Sequence, residues 1–177
     1  TVRGVEPCSV AYMDAAAVVD NLDGTVTLTS GANHGFTVGD DVTIHGTTYY
    51  DGTWELEAGS TTTDIIITPT ATVINPTAGA VVDAGGGTVD IACSNVFNDG
   101  DTVTIAGTTN YNATYTLNAA STAAKINVTA AYVAETLDGT ETITGFPTET
   151  LAVTDYAVGY RDITLAEGTQ RGWPCAR

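Results

Sequence analysis

At 177 residues the chain can form one domain or two small ones, and a hydrophobic content of 43% is enough for a core. Only 15% of residues are charged, and five bases stand against twenty-one acids for a net charge of −16. That balance argues against a nucleic-acid surface, which needs Lys and Arg to displace counterions, and an anionic membrane would repel it.

Thr, Val, Ala and Gly fill the place of the missing charges. β-Branched Thr and Val are stiff at the first side-chain torsion and suit a pleated, half-buried surface. Composition therefore predicts an all-β protein with polar, uncharged outer faces, a surface suited to an extracellular or virion protein. No run of about eighteen apolar residues is present to form a membrane-crossing helix. Thr1 suits a first residue left after removal of an initiator Met or a leader.

In chain order, residues 1–20 read as an N-terminal arm in which AYMDAAAVVD fits either a short helix or a strand. NLDG at 21–24 is a turn, and Val26 and Leu28 alternate with Thr25, Thr27 and Thr29 as in a strand. SGANHG at 30–35 is loop. Val42 and Ile44 then oppose Thr43 and His45, Gly46-Thr47-Thr48 turns the chain, Asp51-Gly52 reads as a second tight turn, TWELE alternates again, and DIIIT at 64–68 closes the unit.

The order then recurs. GDDVTIHGTTYYDGTWEL at 39–56 is answered by GDTVTIAGTTNYNATYTL at 100–117, a constant offset of 61 residues from Gly39 to Gly100. Val89 and Ile91 match Val26 and Leu28 once two residues are removed from the loop, and Ile126 and Val128 match Ile65 and Ile67. Residues 69–87, with Pro69, Pro76 and Gly85-Gly86-Gly87, read as a linker that has room for short strands at 73–74 and 80–83. Beyond residue 131 a turn at Asp138-Gly139, the alternating ETITGF, and candidate strands at 150–154 and 161–165 lead to a C-terminal arm, EGTQRGWPCAR. The expected organisation is an arm over 1–20, one β unit over 21–80, a second over 81–131, and a C-terminal β extension and arm over 132–177. Each unit is a small barrel or sandwich, and the two stand in tandem.

Charge is unevenly placed: residues 4–155 hold nineteen acids and one base, Lys125, whereas the ends hold Arg3, Arg161, Arg171 and Arg177 against Asp162 and Glu167. Basic ends can dock on a neighbour's acidic body. In that arm Arg171, Trp173 and Arg177 are the candidate assembly residues, and Trp173 suits either a neighbour's groove or a cap on the chain's own core. Cys8 and Cys175 are the candidate disulfide, with the reduced state as the alternative, and Cys93 reads as a small core residue.

Chemistry shared by both units has to survive in both copies, and almost none does. His45 becomes Ala106, and the pair His34-Gly35 has no counterpart. Gly52 becomes Ala113, which predicts a different turn type. No GxSxG, P-loop, dinucleotide fingerprint, HExxH or Cys/His cluster occurs. Asp40, Asp41, Asp51, Asp99 and Asp101 are oxygen donors without the spacing of a calcium loop, and Glu55 and Glu57 share one strand face, as solvated residues would. Asn112 and Asn127 head glycosylation sequons. No catalytic, cofactor or metal residue is assigned, no cofactor is expected, and the chain is not expected to be an enzyme.

The strings HGFTVGDDVTIHGTTYYDGTW and NDGDTVTIAGTTNYNATY resemble a recurring module of tailed-phage virion proteins, and are similar to the small β-barrel called the first catalytic-cysteine half-domain in ubiquitin-activating enzymes. The resemblance covers residues 21–68 and 84–129. It implies a capsid-decoration, head-fibre or tail-associated protein located in the virion, a homo-oligomer that meets itself and other virion proteins, with neither nucleic acid bound nor membrane inserted. It does not imply ubiquitin activation, whose cysteine lies outside this barrel. The alternatives are an extracellular filament or surface-layer subunit, and a carbohydrate-binding adhesin module with Tyr49, Tyr50 and Trp54 as platform.

Overall fold

Hydrophobic alternation at period two, interrupted by Gly- and Asp-bearing turns, produces an all-β chain in a computed structural model that describes residues 2–165, without the side chains of 2–9 and 160–165. Contacts divide it into two compact units. One is built from the chain up to Pro69 and again from Glu149, the other from Thr70–Thr148.

The interrupted unit comprises β1 (Val2–Tyr12), β2 (Val19–Asp20), β3 (Val26–Thr29), β4 (Asp41–His45), β5 (Gly52–Glu55) and β6 (Asp64–Ile67). The inserted unit follows as β7 (Thr72–Ile74), β8 (Gly79–Ala80), β9 (Val82–Gly85), β10 (Thr88–Ala92), β11 (Thr102–Ala106), β12 (Ala113–Thr116), β13 (Lys125–Thr129), β14 (Thr136–Leu137) and β15 (Thr142–Gly145). The chain then returns to the first unit as β16 (Tyr156–Leu165).

The sheet orders coincide. The interrupted unit has β1-β16-β4-β5 and β2-β3-β6; the inserted unit has β7-β15-β11-β12 and β9-β10-β13. Register coincides as well. Val42 pairs with Trp54 and Gly159 where Val103 pairs with Tyr115 and Gly145, and Leu28 pairs with Ile65 where Ile91 pairs with Ile126. Bridges Pro76↔Cys93 and Leu117↔Val128 join the two sheets of the inserted unit into a small barrel. In the interrupted unit Met13↔Ser30 and the bond from Glu57 N to Ile66 O (2.9 Å) do the same.

The seventh strand of the first barrel is thus supplied only after the whole second barrel has been made, and the copies are nested where a tandem order was expected. The expected linker 69–87 holds β7 to β9, residues 132–148 belong to the inserted unit, and residues 1–20 carry two strands of the interrupted one. Nesting is sterically simple because β7 and β15, the inserted unit's first and last strands, pair antiparallel with Thr72 opposite Gly145. Entry and exit therefore lie side by side.

Both cores follow the alternation. The inserted unit buries Val89, Ile91, Phe97, Val103, Ile105, Tyr111, Leu117, Ile126, Val128 and Ile143 together. The interrupted unit buries Val26, Leu28, Phe36, Val42, Ile44, Tyr50, Leu56, Ile65 and Ile67 at the matching positions. Gly46 and Gly107 are required at their turns: both have positive φ, and a Cβ would lie 3.2 Å from the Cα of Asp155 and of Glu141 respectively. The exchange at 52/113 changes the local backbone, Gly52 having a φ of 155° that Ala113 does not share, but it leaves the strand register in place. Both residues open a strand in the same register, opposite Ile44 and Ile105.

Candidate functional site

The most elaborate polar construction in each unit is a turn held by acids. In the segment Gly46-Thr47-Thr48-Tyr49-Tyr50-Asp51, the Asp51 carboxylate accepts the Thr47 N–H and hydroxyl, both at 2.8 Å. The Thr47 hydroxyl oxygen in turn accepts the Tyr50 N–H at 3.1 Å. The inserted unit repeats this with Asn112, Thr108 and Tyr111 at 2.8, 2.9 and 2.9 Å. The Asp→Asn exchange is neutral here because either side chain offers the needed carbonyl-type oxygen.

A glutamate from a distant part of the chain then clamps the turn's two outer N–H groups. Glu149 accepts Thr48 N at 2.7 Å and Tyr49 N at 3.1 Å. Glu135 accepts Thr109 N at 2.5 Å and Asn110 N at 2.9 Å. One carboxylate with two acceptor oxygens thus satisfies two backbone donors. A signal for this exists in the sequence as Glu-Thr-Leu at 135–137 and again at 149–151, followed at equal spacing by Gly145 and Gly159. The long repeat masked it, because this short one runs at a different offset.

Burial pushes the Glu135 carboxyl up, but the N–H donors of Thr109 and Asn110 outweigh it and hold the group below its ordinary 4.5. Its stabilisation is therefore full above 4.5 and is lost as pH falls through the depressed folded value. Glu135→Ala is expected to cost about 1–2 kcal/mol at neutral pH, the range for losing a helix cap of comparable donors. Urea unfolding should show that loss shrinking in acid; a pH-independent difference would refute the charge argument.

Several other acids also accept from nearby donors. Asp40 accepts Thr37 N at 2.8 Å, Asp101 accepts Asn98 N at 2.7 Å and the Thr148 hydroxyl at 2.5 Å, and Asp155 accepts Ala152 N at 2.6 Å. Asp90 is held by Lys125 (2.5 Å) and Asn127 (2.6 Å). Burial pushes that carboxyl up, yet its two partners leave it below the ordinary range. Among the described residues, no three His, Cys, Asp or Glu side chains converge on a metal-sized site.

His34 has a counterpart after all. Its Nδ1 accepts the Phe36 N–H at 3.0 Å, as Asn95 Oδ1 accepts the Phe97 N–H at 3.0 Å. The pair stands at the 61-residue offset of the long repeat, and the match was hidden because an imidazole and an amide are different residue types that share only the acceptor role. Burial pushes the imidazole below its ordinary 6.5. The unfolded chain then takes up the proton first, so the stability from neutral His34 is full above 6.5 and is lost as pH falls through the folded value. His34→Asn is expected to be close to neutral at about pH 7.5 and to flatten the stability loss towards about pH 5.5. Chemical unfolding of both proteins across that range checks it, and an unchanged slope would exclude His34 as its source.

Of the residues singled out in sequence, Cys175, Arg171, Trp173 and Arg177 lie outside the described residues. Cys8 sits in β1 where the register shifts between Pro7 and Ser9. Cys93 is buried and its thiol is pushed up by that burial. The aromatic trio does not form a platform: Tyr50 is buried, Trp54 donates its indole N–H to the Tyr50 carbonyl at 3.0 Å, and Tyr49 stands exposed. Asn127 is buried, while Asn112 is exposed.

A different aromatic group was missed, because its members come from strands far apart in sequence. On the outer face of the β1-β16-β4 sheet, Tyr156 lies 6.1 Å from Tyr12 and 5.0 Å from His45, ring centre to ring centre, beside exposed Val10. The inserted unit has Asn75, Thr142 and Ala106 at the positions of Tyr12, Tyr156 and His45. Comparison with protein-family models, curated proteins and solved structures returns no match.

Proposed function

We propose that this chain is a structural protein of a tailed-phage virion, a capsid-decoration or tail-associated component that assembles through strand edges and terminal segments and catalyses no reaction. The observation that carries the reading is what recurs between the two barrels. Paired positions hold core residues, turn acids and clamp glutamates, and many of the carboxylates that make the chain so acidic, Asp51, Asp101, Glu135, Glu149 and Asp155 among them, are engaged by backbone donors. A fold duplicated for rigidity, with polar Thr-rich outer strands, suits a particle exterior. The resemblance of residues 21–68 and 84–129 to virion modules points the same way.

The test is to purify phage particles from a lysate by density gradient and to quantify this chain by mass spectrometry and immunogold staining. A fixed number of copies per particle supports the reading. Absence from particles refutes it, and labelled filaments or cell surfaces would favour a filament or surface-layer subunit.

A further inference from the structure

The barrels share their register but not the outer face of their four-stranded sheet. In the inserted unit that face is threonine: Thr102 stands opposite Thr116, and Thr104 opposite Thr114 and Thr144. In the interrupted unit Tyr12, Tyr156 and His45 form one row across the face, and Val10 with Val158 the next. Tyr12 is 61% exposed and Val10 53%. Four residues along β4 from His45, Asp41 stands opposite Glu55, both exposed, where the inserted unit has Thr102 and Thr116. Like charges directly opposite one another destabilise a strand pair. Among the described residues the one ion pair is Lys125 with Asp90, so neither carboxylate has a basic partner. The acid pair lies about 13 Å along the strand from the aromatic row. This face therefore suits a ligand that is aromatic at one point and cationic about four extended residues away.

The chain carries such a segment. Residues 171–177, RGWPCAR, hold two bases and no acid, and Trp173 precedes Arg177 by the same four residues that separate His45 from Asp41. Pro174 biases Trp173 towards extended backbone, as lying along a strand requires. Other bases are placed elsewhere: Lys125 serves Asp90, Arg161 stands opposite Glu6, and Arg3 opposite Thr164.

Reach decides whose segment it is. β4 accompanies β16 only from Tyr156 to Tyr160, and β16 runs on with β1 as an overhanging ribbon to Leu165. From Tyr156 to Leu165 the strand covers roughly 30 Å. From Leu165 back to Trp173 the same chain spans at most about 29 Å fully extended, before any residue is used to reverse direction. Trp173 thus falls short of the aromatic row of its own barrel, and the row is open to that of another copy.

We propose that residues 171–177 of one copy dock on the Tyr12–Tyr156–His45 face of a second, Trp173 on the aromatic row and Arg177 between Asp41 and Glu55, so that copies join head to tail. The inference deepens the assembly reading above and rests on its claim that terminal segments join copies. Donor and acceptor are different surfaces, so the contact is heterologous and repeats along a chain or ring. The experiment is sedimentation of the full chain beside a donor-defective variant, Trp173→Ala/Arg177→Ala, and an acceptor-defective one, Tyr12→Ala/Asp41→Lys, with far-ultraviolet spectra to show that each is folded. Wild type should run at a multiple of the monomer mass and each variant alone at the monomer mass. Mixed, the two variants should form a dimer and nothing larger, since the mixture holds one intact donor and one intact acceptor. If the acceptor-defective variant loses its fold, a photo-crosslinking residue at position 173 in a mixture of isotope-labelled and unlabelled chains replaces it, and crosslinks to β1, β16 or β4 of another copy support the proposal. A monomeric wild type, a folded variant that still associates, a mixture that stays monomeric, or crosslinks confined to one chain overturn it. These outcomes leave the virion reading to the particle assay, and a head-to-tail assembly absent from particles removes the virion reading alone.

Discussion

Tyr111→Ala is expected to destabilise the inserted barrel by about 3–5 kcal/mol, the range for truncating a large buried aromatic. Tyr111 is 1% exposed and packs within a cluster drawn wholly from the inserted unit. Its hydroxyl donates to the Val133 carbonyl at 2.7 Å and accepts the Val133 N–H at 2.8 Å, so it also ties down the segment leading to Glu135. A small domain has about 5–15 kcal/mol in total, so one substitution removes much of the barrel's margin. Because the cluster takes no residue from the interrupted unit, the damage should stay local. Far-ultraviolet melting should split into two steps, while Trp54 fluorescence in a Trp173→Phe background keeps its wild-type transition. Tyr50→Ala should reverse the pattern. A single coincident transition lowered in both reporters would show that the barrels unfold as one.

Replacing residues 69–148 with the five-residue segment Ala130–Ala134 is expected to leave a folded, cooperative barrel. In the inserted unit those five residues alone lead from β13, which ends at Thr129, to the clamp glutamate Glu135. The equivalent path in the interrupted unit runs from Thr68 to Glu149 and contains the whole second barrel. Matched register on both sides of the junction means the short connection has the right length. Residues 70–148 by themselves should fold too, since β7 and β15 already meet at their ends. Circular dichroism and sharp amide dispersion in both products are the readout. A disordered shortened chain would mean that the interrupted barrel needs the inserted one to bring β16 to β4.

Much of this was legible in the residues. Alternation of Val42 and Ile44 with Thr43 and His45 identified a strand and its buried face, because a strand's side chains point to opposite sides in turn. The 61-residue recurrence identified two copies of one unit. Both are local properties, and local sequence carries them. The short Glu-Thr-Leu repeat was equally present but went unread, since its different offset escapes a fixed-period comparison; Asn95 stands at the 61-residue offset from His34 and went unread because the two residue types share only an acceptor atom.

The nesting, the overhanging ribbon and the Tyr12–Tyr156–His45 group belong to another level. Alternation says that a segment is a strand and which side is wet; it does not name the strand beside it. β16 pairs with β1 across more than 140 residues, and nothing within either segment encodes that choice. It is decided by which closure buries both apolar faces and satisfies both sets of backbone donors at once, and that balance exists only when the whole chain has folded.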